Sequence, residues 1–142
     1  MEAKDLMLFD LVKRRKDSKI MTVVELRYAE TVSAITPDDI YYGDMEDYHE
    51  SEINPIPLTS EILKKNGFEN VSVITVGTAK MRWVSEDTRT EITIWMDDTL
   101  PMEIVKNVYY EDEVSYTLPF PGTVHQLQHA LRLCGIDKEI TV

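Results

Sequence analysis

Thr90-Glu91-Ile92-Thr93-Ile94-Trp95-Met96-Asp97 is the stretch that decides the class of this fold. Ile92, Ile94 and Met96 alternate with Glu91, Thr93 and Trp95, and a period of two belongs to a strand with one face buried and the other open to polar contact. The habit continues outward in both directions. Residues 71–77 and 78–85 before it, 103–110 after it and a weaker run at 113–118 read as further strands, so the second half of the chain is expected to form an antiparallel sheet or meander.

Helical signals flank that sheet. On its N-terminal side Thr59 or Ser60 can cap a short helix that runs to about Asn66 and stops at Gly67, with Ile62, Leu63 and Phe68 as the side chains that bury it. On its C-terminal side Thr123 and Gln126 have the spacing of a capping box and Gly135 closes the segment 124–134. At helical spacing Val124, Leu127, Ala130, Leu131 and Cys134 form one apolar stripe, with His125, His129 and Arg132 on the opposite, solvent-facing side. Glu139-Ile140-Thr141-Val142 is expected to add a last edge strand, and Leu133 falls off the stripe, where it would bury in a homodimer interface or against that strand.

Further out, the first 54 residues read as a second sheet. Residues 8–15 and 20–28 are strands around the polar turn Lys16-Asp17-Ser18-Lys19, and in the second of them Ile20, Thr22, Val24, Leu26 and Tyr28 are taken as the buried face. Shorter strands at 31–36 and 40–43 flank Pro37-Asp38-Asp39, a turn in which proline presets φ and aspartate bonds its own backbone. Four short antiparallel strands make a small curved sheet, expected to resemble an SH3-like barrel. Residues 44–52, rich in carboxylates, are expected as a polar loop leading into the extended connector 53–58, whose prolines Pro55 and Pro57 disfavour helix. The expectation is therefore α+β, two antiparallel sheets with a short central helix and one C-terminal amphipathic helix. An N-terminal subdomain would span 1–54 and a C-terminal one 55–142.

Composition narrows the function. The chain has 142 residues, 43% apolar and 29% charged, and its 26 acidic residues outnumber 15 basic ones for a net charge of -11. Such a field opposes nucleic acid unless a local patch overrides it. The best local patch, Lys13-Arg14-Arg15-Lys16, has no interleaved aromatics for base stacking and reads as a solvated hairpin turn. A lone Cys134 cannot form an internal disulfide, the start MEAKDLMLFD lacks a signal-peptide pattern, and no window has the roughly 18 apolar residues of a membrane span. A cytoplasmic protein without membrane or nucleic-acid partners is expected.

Catalytic motifs fare poorly. His125-Gln126-Leu127-Gln128-His129 has the spacing of a zinc-peptidase helix, but Gln126 stands where that chemistry needs a glutamate to activate water. Arg132 would also set a cation between the two imidazoles, so His125 and His129 are only weak metal candidates and no cofactor is expected. Asp44, Glu46, Asp47, Glu50 and Glu52 lack the spacing and turn glycine of a calcium loop. Cys134 lies on the apolar stripe, where a thiol stays protonated. The serines show no nucleophile elbow, and the isolated glycines form no phosphate loop. Trp83 and Trp95, in neighbouring strands, are expected to pack together as core. Tyr41, Tyr42 and Tyr48 beside Asp44, Glu46 and Asp47 make an amphipathic patch suited to a protein partner.

Three stretches carry a resemblance that spans most of the chain: Lys4-Asp5-Leu6 through Phe9-Asp10-Leu11-Val12, Ile56-Pro57-Leu58-Thr59-Ser60-Glu61-Ile62-Leu63 ending at Asn66-Gly67-Phe68, and Val124-His125-Gln126-Leu127-Gln128. In this order they resemble a family of small uncharacterised proteins encoded by gut bacteria and by their phages and mobile elements. The resemblance implies no activity, and its motif residues look structural. The expected function is a non-catalytic accessory protein that binds another protein. The alternatives are a metal-dependent protein using His125 and His129, and an acidic mimic of nucleic acid that occupies a basic partner.

Overall fold

The polar residues 15–17 turn the chain between β1 (Leu11–Arg14) and β2 (Ile20–Leu26), and from that hairpin the first of two antiparallel five-stranded sheets grows. The fold is α+β, as the sequence pattern requires, with a short central helix and a C-terminal helix. A computed structural model describes every residue except 3–4, 28–29, 37–44, 73–77, 88, 98–100, 109–113 and 119–121. Two compact units emerge, residues 1–56 with 123–125, and residues 57–122 with 126–142.

In the first unit β3 (Thr31–Ile35), β4 (Glu46–His49) and β5 (Ile53–Asn54) complete a sheet of order β4-β3-β2-β1-β5. Its two edge strands are consecutive in sequence, joined by the single 3-10 turn Glu50–Glu52. Three residues of 3-10 helix rise only about 6 Å, so the edges must approach each other and the sheet curls into a half-barrel. β1 is the hinge of that closure. Lys13 pairs with Ile20 of β2 on one side and with Asn54 of β5 on the other. Leu6, Val12, Met21, Val23, Val32, Ala34, Tyr48 and Ile53 fill the core, with Met1 packed against it.

Three expectations are corrected here. The buried residues of β2 are Met21 and Val23, whereas Ile20, Thr22 and Val24 are half-buried and Leu26 is exposed. Apolar residues occupy both phases of that strand, and its pairing with β1, which sets Met21 opposite Val12, selects the other phase. A register shift between Val23 and Glu25 then bends the strand end. The strand expected from residue 8 begins only at Leu11, because Met7 to Phe9 form a turn. Within the expected loop 44–52, Glu46–His49 pair with β3 as a charged edge strand, a composition that discourages further strand addition. The strand expected at 40–43 lies outside the described residues.

The second unit opens with α1 (Ser60–Lys65), whose cap is Thr59: the Ile62 amide donates to its hydroxyl at 3.3 Å. The helix ends in a Schellman arrangement. Phe68 N–H donates to Leu63 O and Gly67 N–H to Lys64 O, both at 3.0 Å, while Leu63 and Phe68 are buried. Gly67 sits at φ +83°, a backbone sign that other residues adopt only with strain. β6 (Glu69–Asn70), β7 (Thr78–Val84), β8 (Thr90–Asp97), β9 (Met102–Val108) and β10 (Val114–Leu118) form a simple meander in the order β10-β9-β8-β7-β6. Of the alternation quoted at the outset, Ile92 and Ile94 are fully buried beside Met81, Met102 and Ile104, but Thr93 of the other face is buried too and Met96 is half-buried. Of the strand expected at 71–77, residues 73–77 lie outside the described residues and 71–72 are not in a strand.

The final residues do not form the expected edge strand. Asn66, at the end of α1, binds them instead: its Nδ2 donates to Ile62 O at 2.8 Å and to Thr141 O at 2.7 Å, and its Oδ1 accepts from the Thr141 amide at 2.8 Å. One amide side chain thus supplies the partners that a strand would have found in a ladder. α2 (Val124–Leu133) buries all five residues of its expected stripe and ends in a second Schellman arrangement, Ile136 N–H to Leu131 O and Gly135 N–H to Arg132 O.

Candidate functional site

The patch drawn from the sequence divides in three ways. Tyr41, Tyr42 and Asp44 lie outside the described residues. Glu46 and Asp47 are exposed on β4, and Tyr48, which follows them, is buried in the core of the half-barrel. Alternation along the strand puts Tyr48 on the same face as Glu46, two residues before it, and Asp47 on the other face. Only the phenol tip of Tyr48 reaches the rim.

That tip belongs to a charge network that no local pattern announces. Arg14, the last residue of β1, holds Asp17 through Nε at 2.8 Å and through Nη2, a bidentate fork closed within the hairpin turn. Its Nη1 donates to the Tyr48 hydroxyl at 3.0 Å, and that hydroxyl donates to Glu46 Oε2. The Arg14 guanidinium carbon stands 6.0 Å from the centre of the Tyr48 ring. Its hydrogen bonds to the fork hold the Asp17 carboxyl well below the usual carboxylate range and raise Arg14 still further. Burial, then the neighbouring Glu46 carboxylate, pushes the Tyr48 phenol up. Asp47 joins a second cluster on the same sheet, accepting from Ser33 Oγ and lying 3.4 Å from Arg27 Nε, while Arg27 also meets Glu25 at 3.1 Å.

The acidic segment after β4 is organised by His49. Its Nδ1 accepts from the Ser51 amide at 3.2 Å, and the Glu52 carboxylate accepts from the His49 amide at 3.0 Å, a reciprocal capping box that builds the 3-10 turn. His49 Nε2 also lies 3.3 Å from Glu30. Where this turn meets the β1–β2 hairpin there is a cleft of about 310 Å³ lined by Arg14, Arg15, Lys16, Tyr48, Ser51 and Glu52. Of the basic run read as a solvated turn, Arg15 and Lys16 lie in the hairpin turn, whereas Lys13 and Arg14 end β1 and are half-buried; Arg14, Arg15 and Lys16 form one wall of this cleft.

A second feature of the half-barrel has no counterpart in the sequence reading. Met7, Leu8 and Phe9 are 46%, 45% and 61% exposed. They sit on a turn clamped by Asp10, itself fully buried: the Met7 amide donates to Asp10 Oδ2 at 2.8 Å and the Asp10 amide to Met7 O at 3.2 Å. Phe9 N–H donates to Val23 O at 2.7 Å, which fastens the turn to β2, and Phe9 is held at φ 67°.

The histidines do not both face solvent as expected. His125 is only 5% exposed and its Nδ1 lies 3.0 Å from Thr123 Oγ1, while His129 is half-buried. The Val124 amide donates to Ile56 O at 2.9 Å, and residues 123–125 belong to the first unit. Among the described residues no group of three His, Cys, Asp or Glu side chains gathers to hold a metal ion. Cys134 is buried, and Leu133 is 71% exposed.

The two tryptophans do not pack together either. Trp83 pairs with Ile92 and Trp95 with Lys80, which places them on opposite faces of the sheet. Trp83 lies with Phe68, ring centres 6.5 Å apart, and beneath Lys138 Nζ at 5.0 Å, where burial lowers the lysine's proton affinity. Trp95 is partly exposed under Lys80. No helix among the described residues is long and apolar enough to cross a membrane. Comparison with protein-family models, with curated proteins and with solved structures yields no match to this chain.

Proposed function

We propose that this chain is a non-catalytic accessory protein of a bacterial host or of one of its phages or mobile elements, and that it binds another protein through its N-terminal half-barrel. The observation that carries the reading is the turn Met7-Leu8-Phe9. A turn that only reverses the chain is filled best by glycine or asparagine, which adopt a left-handed backbone readily. Phenylalanine at φ 67° meets that conformation with strain of about 1–3 kcal/mol. Its ring also forgoes most of the burial that favours folding. Both penalties make sense where the ring is an anchor for a partner, because aromatic anchors on a preorganised support dominate binding energy. Leu26, at the end of the strand to which the turn is fastened, is exposed as well. The bacterial and mobile-element setting is supported by the resemblance carried in Ile56 to Phe68 and Val124 to Gln128.

The substitution Phe9→Asn tests this directly, since asparagine tolerates the left-handed backbone. Affinity capture from the bacterial host with wild type and with Phe9→Asn, followed by reconstitution with the purified partner, should give a complex that the variant loses. The melting temperature of the variant should be unchanged or higher. Capture of the same proteins by both chains, or of none by wild type, would remove the reading.

A further inference from the structure

We propose that the cleft between the β1–β2 hairpin and the 3-10 turn binds a small organic oxyanion, a carboxylate or phosphate monoester carried on an aromatic or aliphatic body. The Met7–Phe9 turn plays no part in this inference.

The case begins with charge. In a chain of net charge -11, residues 13–19 hold five cations, Lys13, Arg14, Arg15, Lys16 and Lys19, against the single carboxylate of Asp17. Asp17 is fully engaged by Arg14. The neighbouring Arg15 has one side-chain bond, from Nη2 to the neutral Asn54 Oδ1 at 3.2 Å, and no ion pair reaches Arg15 or Lys16 among the described residues. Glu52, the carboxylate in the lining, is turned to the His49 amide. Two adjacent, exposed, uncompensated cations repel each other, and an anion between them relieves that repulsion and accepts from the open guanidinium fork.

The cleft supplies the remainder. Its volume of about 310 Å³ lies at the lower end of the small-ligand range, and its wall is mostly carbon. Arg14 is rigid there because Asp17 and Tyr48 fix its guanidinium in three hydrogen bonds, so it serves as wall rather than as ligand contact. The side-chain stems of the lining can cover an apolar body, and the Tyr48 and Ser51 hydroxyls add polar edges. A polyanion would meet the repulsion of the whole acidic molecule, whereas one oxyanion meets only the local cations.

The test is an amide-resolved NMR titration of the full chain with phenyl phosphate, benzoate, inorganic phosphate and benzyl alcohol. Saturable shifts are expected at Arg15, Lys16, Ser51 and Glu52 with phenyl phosphate or benzoate, and the tighter of the two identifies the oxyanion. Inorganic phosphate, which lacks the body, and benzyl alcohol, which lacks the charge, should each bind at least about tenfold more weakly. Lys16 is exposed on a turn, so Lys16→Glu should fold normally and weaken binding about tenfold or more, while Lys16→Arg retains it. The proposal is overturned if neither aromatic anion gives saturable shifts, if inorganic phosphate binds as tightly as they do, or if Lys16→Glu binds unchanged.

Discussion

Among the described residues the two sheets have the same number of strands and the same antiparallel pairing, yet they are held by different means. In the second unit the strands follow one another as a plain meander, and the long strands bury apolar residues: Met81 on β7, Ile92 and Ile94 on β8, and Met102, Ile104 and Val105 on β9. In the first unit the strands are short, β5 has two residues, and the edges are brought together by a three-residue turn. A series of side-chain hydrogen bonds runs through it, from Asp10 in the entry turn, through Arg14, Asp17, Tyr48 and Glu46, to His49 and Glu52 in the 3-10 turn. A sheet of longer strands with buried apolar residues can rely on area. A small curled sheet with little area per strand relies on specific polar contacts, and those same contacts leave shaped, charged rims where ligands and partners can be met.

The largest effect that can break this contrast is expected in the meander. Ile94 is fully buried on the central strand, and Ile94→Ala should cost about 3–4 kcal/mol in urea unfolding, with amide protection lost over β7, β8 and β9. A cost below about 1 kcal/mol would mean that the apolar row of the second sheet is not its main support. The matching change in the half-barrel is Tyr48→Phe, which keeps the ring in the core and removes only the hydroxyl between Arg14 and Glu46. Both partners retain access to water, so the expected cost is about 1 kcal/mol. A neutral result would show the network to be ornamental, and a loss as large as that of Ile94→Ala would show it to be the principal support of the first unit.

The same contrast explains what could be read beforehand. The second sheet was legible because its apolar residues keep one phase: Ile92 and Ile94 stand against Glu91, Thr93 and Trp95, although Thr93 is buried as well. The phase of β2 was not, because Met21 and Val23 are as apolar as Ile20 and Val24, and only the opposing Val12 decides between them. β4 was hidden by its charges, which suit an edge strand and a loop alike. Of the candidate patch, Glu46, Asp47 and Tyr48 were named from sequence, whereas Arg14 was not connected to them, since the contact spans 34 positions and exists only once β5 pairs with β1. The Met7–Phe9 turn carries no glycine or asparagine to mark its left-handed residue. The apolar stripe of α2 was plain from its spacing, but the burial of His125 was not, because a helical wheel shows only which residues share a face and not what packs on each.

The smallest expected effect is also the most diagnostic of how the hairpin is held. The Asp17 carboxyl is depressed in the folded chain by the Arg14 fork and by the Lys19 amide, so folding favours its ionised form. For a depressed carboxylate the stabilisation is complete above the ordinary value of about pH 4 and is lost as pH falls below it, towards the folded value. Asp17→Asn keeps the shape and removes the charge. The difference in stability between wild type and variant should therefore be constant from about pH 6 to pH 8 and should shrink steadily below about pH 4. The pair is partly exposed, so the whole difference is small and should diminish in about 1 M salt. Glu61 and Asp87 in the second unit are depressed as well, by local hydrogen bonds at a helix start and in a turn, so the variant should retain a residual acid slope. Amide exchange resolved over β1 and β2 separates the two sources, because only the hairpin should respond to Asp17→Asn. A difference that stays constant down to about pH 3 would mean that Arg14 gains nothing from the charge of Asp17, and that the hairpin is held by its backbone alone.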